Sequence, residues 1–94
     1  MPRPIRPRFA DGAAEAIRHL HPQSKRKVRA ALKVIASAPD SGKPLKAELD
    51  GLHTFRVGKL RIVYRVLDRM IDIVAFGPRD RIYEETRRLV RRSP

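Results

Sequence analysis

Residues 55–83 read as three apolar strands with short turns between them, followed by the start of a helix, and arginines recur along the whole segment. The Gly-Lys pair at 58–59 and the Asp-Arg pair at 68–69 are turn sequences, and the residues between them alternate as in a strand. Residues 71–76 are rich in β-branched side chains, which favours a buried third strand. This segment therefore predicts an antiparallel meander, and the rest of the chain has to fold around it.

The placement of arginines in these strands is the next constraint. Because side chains alternate along a strand, Arg61 and Arg65 are predicted to share the face opposite Ile62 and Tyr64. A tight hairpin at 58–59 would also place Arg56 beside Arg61. Like charges opposed across a sheet are unfavourable, so this arrangement predicts a face that binds an anion such as a phosphate backbone.

Neutralisation by acids within the protein is the structural alternative for these arginines. Asp72 or Glu84 could pair with Arg61 or Arg65. A guanidinium held in that way would stabilise the sheet and would be less available to a ligand.

The segments before the meander predict a short edge strand near Ile5 and Phe9 and then two helices. The first helix would follow Asp11 as its N-cap, and Pro22 suits the first turn of the second. In that second helix the apolar positions at helical spacing are Val28, Ala31, Leu32 and Ile35.

Residues 38–46 read as a loop that carries Lys43 and Lys46, and residues 81–92 as a terminal helix. The predicted order is β-α-α-β-β-β-α. This order gives an α+β, two-layer fold, with a small antiparallel-rich sheet and an N-terminal helical pair packed on one face. The opposite face is left for the strand arginines.

Charge points to a polyanionic or acidic partner. The 94 residues hold 22 Lys and Arg against 10 Asp and Glu, a formal net charge of +12. Solubility of a small domain requires only a net charge of about 2 to 8.

The length predicts a single domain over residues 1–94. With no cysteine and no apolar stretch near the roughly 20 residues of a membrane span, we expect a soluble, cytoplasmic protein.

The motifs GKPLKAEL, GLHTFRVGKLRIVYRV and GPRDRIY follow one another between residues 42 and 83. Their order and spacing resemble the RelE/ParE superfamily of toxins from type II toxin-antitoxin systems. That family has an R-V-G turn, a Y/L-R-I-V-Y strand and a G-x-R-x-x-x-Y end. The predicted order of elements is also that of the family, and Tyr83 with the G-x-R spacing favours its RelE-like branch.

The resemblance implies an enzyme. RelE-like toxins are mRNA interferases, endoribonucleases that cut mRNA in the ribosomal A site without a metal or cofactor and use the RNA 2′-hydroxyl as nucleophile. By this resemblance Arg61 contacts the scissile phosphate, while Arg79, Tyr83 and Arg56 complete the catalytic set. The chain departs from the family at Thr54, where a second basic strand residue, usually a lysine, is expected.

The missing lysine matters because the reaction needs a proton acceptor. Guanidinium groups suit the negative charge of the transition state, but arginine is a poor base because its pKa exceeds 12. We then expect Lys59, Lys46 or Tyr83 to carry out the proton transfer. The predicted RNA-binding residues are Lys43, Lys46, Lys59, Arg65 and Arg81.

The resemblance also implies partners. We expect a cognate acidic antitoxin, the ribosome and mRNA, with no membrane contact and with DNA contacted only through the antitoxin complex. The alternative is a non-enzymatic binder, either a ParE-like DNA gyrase inhibitor or a basic RNA-binding module. Threonine at position 54 keeps that alternative open.

Overall fold

The computed structural model describes the backbone of residues 6–92 and the side chains of residues 7–91. Its strands are β1 (Arg6–Phe9), β2 (Lys43–Pro44), β3 (His53–Val57), β4 (Leu60–Leu67) and β5 (Met70–Pro78). Its helices are α1 (Asp11–Arg18), α2 (Pro22–Ser37) and α3 (Arg79–Arg92), with a 3₁₀ turn at Ala47–Leu49. The predicted α+β class is confirmed.

The strands form one sheet in the order β1-β5-β4-β3-β2. Strand β1 runs parallel to β5, and the other neighbours are antiparallel. The meander and the short edge strand are therefore confirmed over the described residues; Ile5, which was expected to contribute to that strand, lies outside them.

Turn geometry fixes the register of the hairpin between β3 and β4. Gly58 has a φ of 62°, the sign that a type II′ turn requires at its first central residue. The register then pairs Arg56 with Arg61. On the other side of β4, Val63 pairs with Ala75 and Tyr64 with Ile73, so Val74 is an extra residue in β5. This bulge leaves the alternation along β4 intact.

The first face of the sheet carries the larger apolar core. Ile62, Tyr64 and Ile73 are fully buried there, and Val28 and Ile35 of α2 pack against them. The predicted packing of the helical pair on one face is confirmed, since α1 contributes the buried Ala13 to the same cluster. Burial of side chains of this size contributes about 1.5–3 kcal/mol each, so this layer supplies most of the fold's stability.

The second face is covered in part by α3, which the sequence did not predict. Ile82 is fully buried against Val63 and Ala75, together with Leu49 and Leu52. The face expected to be left for arginines is therefore divided. Its centre is apolar and lies under α3, and the arginines lie outside this apolar patch.

Three boundaries differ from the sequence prediction. The N-cap position of α1 is Ala10, and Asp11 is the first helical residue, so the N-cap prediction is wrong by one residue. Within the predicted loop, β2 forms because its two residues pair with β3. Helix α3 begins at Arg79 because β5 leads directly into it, two residues before the predicted start.

The hydroxyl of Tyr64 anchors the loop that leads into β2. It donates a hydrogen bond to the Pro39 carbonyl at 2.8 Å and accepts one from the Gly42 amide at 2.9 Å. A Cβ on Gly42 would lie 2.5 Å from the Tyr64 hydroxyl, so only glycine fits there. A buried side chain of the first core therefore positions the edge of the sheet.

None of the helices in the described part of the chain has both the length and the apolar character needed to cross a membrane.

Replacing Tyr64 by Phe should destabilise the protein. The substitution removes both hydrogen bonds and leaves the Gly42 amide, whose bond to the hydroxyl is buried, without an acceptor, which costs about 1–3 kcal/mol. For a domain of this size, each kcal/mol lowers the melting temperature by about 4–8 °C. Thermal and urea unfolding measure the change.

Tyr83→Phe is the matched control for that experiment, because the Tyr83 hydroxyl is not hydrogen-bonded within the described residues. Equal melting temperatures for the two variants would show that the Tyr64 hydroxyl does not anchor the loop.

Candidate nucleic-acid interface

A pair of arginines lies at the hairpin end of the sheet. Arg56 on β3 and Arg61 on β4 are direct cross-strand partners, and Arg61 in turn faces Gly77 on β5. Neighbouring strands are about 5 Å apart, so the two arginine side chains start side by side on one face. Arg56 is exposed and Arg61 is partly buried. Gly77 has no side chain, and a Cβ at that position would lie 3.9 Å from Ile82 Cδ1.

The charges of this pair are not balanced by acids. Among the side chains that the structure describes, Arg56 and Arg61 have no carboxylate oxygen within 4.0 Å. Arg56 Nε donates to the Gly58 carbonyl at 3.0 Å, which orients its guanidinium and leaves its terminal nitrogens available. For Arg61 the neutralisation considered from the sequence does not occur within residues 7–91. The pair therefore presents two guanidinium groups without a carboxylate partner among the described residues, an arrangement whose charge suits an anion.

The first turn of α3 adds to this end of the sheet. Leu60 pairs with Pro78, the last residue of β5, so Arg79 emerges next to the arginine pair. Tyr83 follows one helical turn later on the same side of α3, and its partly buried ring packs against the cluster of Val63 and Ala75. Arg79 and Arg81 are exposed and have no ion pair with any described carboxylate.

Arg65 has a different environment. Its Nε donates to Asp72 Oδ2 at 2.9 Å, and the Asp72 side chain is 15% exposed. This is the acid pairing that the sequence left open for Arg65, and it is confirmed. A ligand would have to compete with Asp72 for this guanidinium, so Arg65 is a weaker candidate for RNA contact than Arg61.

The three predicted lysines are separated by the fold. Lys43 is the cross-strand partner of Thr54 and shares its face, which is also the face of Arg56. Lys59 borders a pocket with Ser24 of α2, and it therefore lies on the α2 side of the sheet. Lys46 follows Leu45, which packs in the second cluster, and its extended backbone directs its side chain the other way.

Two polar groups of β3 lie outside the predicted set of site residues. The Thr54 hydroxyl belongs to a residue that is 2% exposed, and it has no hydrogen-bond partner among the described residues. His53 stacks on Tyr64 with ring centroids 5.4 Å apart, which places it on the α2 side, and within the described part of the chain its Nδ1 has no partner either. The sequence does indicate the face on which Thr54 lies, because Thr54 stands two residues before Arg56 in the predicted strand.

Residues 7–91 contain no group of three or more His, Asp or Glu side chains arranged to hold a metal ion.

Comparison with known proteins identifies relatives. The family model for the ParE toxin of the type II toxin-antitoxin system, parDE, matches residues 5–83. A chain of the RelBE2 toxin-antitoxin complex from Mycobacterium tuberculosis is 30% identical, with a TM-score of 0.70 over 82% of this chain and 100% of that one. No functionally curated protein matches at a significant level.

More distant structures share the fold. A mutant of the E. coli toxin RelE in the free state has a TM-score of 0.78 at 17% identity, and the match covers 98% of this chain and 100% of that chain. The YoeB dimer from Staphylococcus aureus has a TM-score of 0.70 at 24% identity, over 80% of this chain and 97% of that chain.

The position of α3 over the site should depend on ion pairs with Glu48. Glu48 lies 2.9 Å from Arg87 and 3.7 Å from Arg91, and all three side chains are about half exposed or more. Such pairs contribute about 0–1 kcal/mol each. We expect Glu48→Gln to accelerate amide hydrogen exchange in α3 by up to about fivefold, with little change in global stability.

Glu84→Gln, which removes a carboxylate of α3 that has no ion pair with a described residue, is the control. Identical exchange in α3 for both variants and the native protein would contradict a tethering role for Glu48.

Proposed function

The chain belongs to the ParE toxin family of type II toxin-antitoxin systems, within the RelE/ParE superfamily, and we propose that it is a toxin that cuts mRNA on the ribosome. The proposed activity is that of a metal-independent endoribonuclease, an mRNA interferase that stops translation. It acts in the cytoplasm, in the ribosomal A site.

The observation that carries this proposal is the unneutralised arginine pair. A sheet tolerates adjacent like charges at a cost, and here the cost is not offset by acids within the described residues. A phosphodiester bound between Arg56 and Arg61 would remove the repulsion. Arg79 lies at the same end of the sheet and gives a third cation from a separate segment.

The proposed chemistry is in-line attack of the RNA 2′-oxygen on the adjacent phosphorus. The bond between 2′-oxygen and phosphorus forms, the bond from phosphorus to the 5′-oxygen breaks, and the products carry a 2′,3′-cyclic phosphate and a 5′-hydroxyl. Arg61 and Arg79 stabilise the negative charge that builds up on the phosphoryl oxygens. Tyr83 stacks on a neighbouring base or relays a proton to the leaving oxygen.

The proposed partners follow from charge and from the relatives. RelBE2 of Mycobacterium tuberculosis and RelBE of E. coli are toxin-antitoxin complexes. Because its net charge is +12, this chain suits an acidic antitoxin that covers the arginine pair. When no antitoxin is bound, the same charge suits the RNA of a translating ribosome. DNA is contacted only through the antitoxin complex.

Inhibition of DNA gyrase is the second candidate function. The family model that matches is described as ParE, and the ParE-like branch of the superfamily resembles gyrase inhibitors. Such a toxin would use its basic surface for binding alone and would cut no RNA.

Primer extension on a translated message tests the proposal. Purified protein should cut the mRNA only when programmed ribosomes are present. Arg61→Ala and Arg79→Ala should each slow cleavage by about 10²- to 10³-fold, because each removes a group that stabilises transition-state charge. Expression of either variant alone should no longer arrest growth.

Arg29→Ala is the matched control, since Arg29 is an exposed arginine of α2 with no ion pair to a described side chain. Full toxicity of both Arg61→Ala and Arg79→Ala would contradict the proposed site. Stalled supercoiling in a gyrase assay, with every transcript intact, would establish the second candidate in its place.

A further inference from the structure

Proton transfer from the 2′-hydroxyl is the step for which the arginines are unsuited, because a guanidinium stays protonated at any physiological pH. We propose that Lys43, reaching over from the edge strand β2, is the catalytic residue that accepts this proton. This inference rests on the proposed nuclease function.

The register of the sheet places Lys43 within reach of the arginine pair. Lys43 is paired with Thr54, and Arg56 lies two residues further along the same face of β3. From standard strand spacing, the Cα of Lys43 lies about 8 Å from that of Arg56 and about 12 Å from that of Arg61. A phosphodiester bound between the two arginines is therefore within range of the four-carbon lysine stem.

Independent contacts fix the face on which Lys43 lies. A Cβ on Gly42 would point at the Tyr64 hydroxyl, on the α2 side, so the next residue projects to the opposite side. Leu45, two residues beyond Lys43, packs in the cluster under α3. Both observations direct Lys43 toward the face of Arg56 and Arg61.

Thr54 is the residue of β3 directly across the strand pair from Lys43. Its hydroxyl is buried and has no hydrogen-bond partner among the described residues. Because a buried hydroxyl without a partner is rare in proteins, this position of the sheet beside Lys43 is an unusual polar one.

The other potential proton acceptors near the sheet are less suitably placed. Lys59 borders the pocket with α2, and His53 stacks on Tyr64 on that same side. Glu84 lines a groove of α3 with Tyr83, and it is the competing candidate.

In the proposed step, the Lys43 amine takes the 2′-hydroxyl proton and becomes an ammonium. The 2′-oxygen uses the released electron pair to bond to phosphorus, and the 5′-oxygen leaves with its own pair. Water, directly or through Tyr83, supplies the proton that completes the 5′-hydroxyl. Lys43 then returns its proton to solvent, so atoms and charge balance over one turnover.

A cysteine exchange tests Lys43, because the chain contains no cysteine and Lys43→Cys introduces a single thiol. Single-turnover cleavage on programmed ribosomes should fall by about 10²- to 10⁴-fold, with little change in the toxin concentration at half-maximal rate. Alkylation with 2-bromoethylamine, which rebuilds a lysine-like primary amine, should restore the rate to within about tenfold of the native protein. A thiol-linked trimethylammonium group, which carries charge but accepts no proton, should not restore it.

Lys33→Cys is the control, since Lys33 is an exposed lysine of α2 on the far side of the sheet, and neither reagent should alter its activity. Rescue by the trimethylammonium group would overturn the inference, because charge alone would then suffice. Native rates for Lys43→Cys would also overturn it, as would a loss of cleavage confined to Glu84→Gln. In each case cleavage by the native protein would leave the proposed function standing. An inactive native protein on programmed ribosomes would overturn both.

Discussion

The register between β3 and β4 is the constraint on which the site depends. A two-residue turn at Gly58 sets this register, and it brings Arg56 and Arg61 opposite one another. Since side chains alternate along a strand, a slip of one residue would turn Arg61 into the apolar layer and would expose Ile62. The buried core on one face and the cationic site on the other are thus two consequences of one pairing, and neither can shift without the other.

The two faces of the sheet differ in packing and in charge, and this difference explains how a small protein tolerates adjacent arginines. The layer formed with α1 and α2 buries large aliphatic residues and the ring of Tyr64, and it supplies most of the stability. The second layer is smaller, with Ile82 of α3 at its centre. At the edge of this second layer, side chains do not have to pack as closely as in a core. Charged side chains can therefore lie there at a moderate cost in the free energy of folding. Helix α3 is held over this face by buried Ile82, and the exposed ion pairs of Glu48 with Arg87 and Arg91 lie at its surface.

Tyr64 connects the core to the proposed chemistry. Its ring belongs to the first core, while its hydroxyl binds the chain at Pro39 and Gly42 just before β2. Through that anchor, the pairing of Lys43 with Thr54 depends on a side chain on the other face of the sheet. Loss of the hydroxyl therefore affects both the stability and the position of the amine that we assign to catalysis.

Local sequence determined the elements and the faces of the strands. The turn at 58–59, the alternation of Arg61 with Ile62 and the position of Pro22 were sufficient to predict the hairpin, the arginine face and the start of α2, because each depends on residues close together in the chain. Only the tertiary structure decided which charges are neutralised and which polar groups meet. The Arg65–Asp72 ion pair, the position of α3 over the second face and the pairing of Lys43 with Thr54 all join segments whose relative register local patterns do not specify. That register depends on how the whole sheet buries its two apolar faces, and this is a property of the assembled fold.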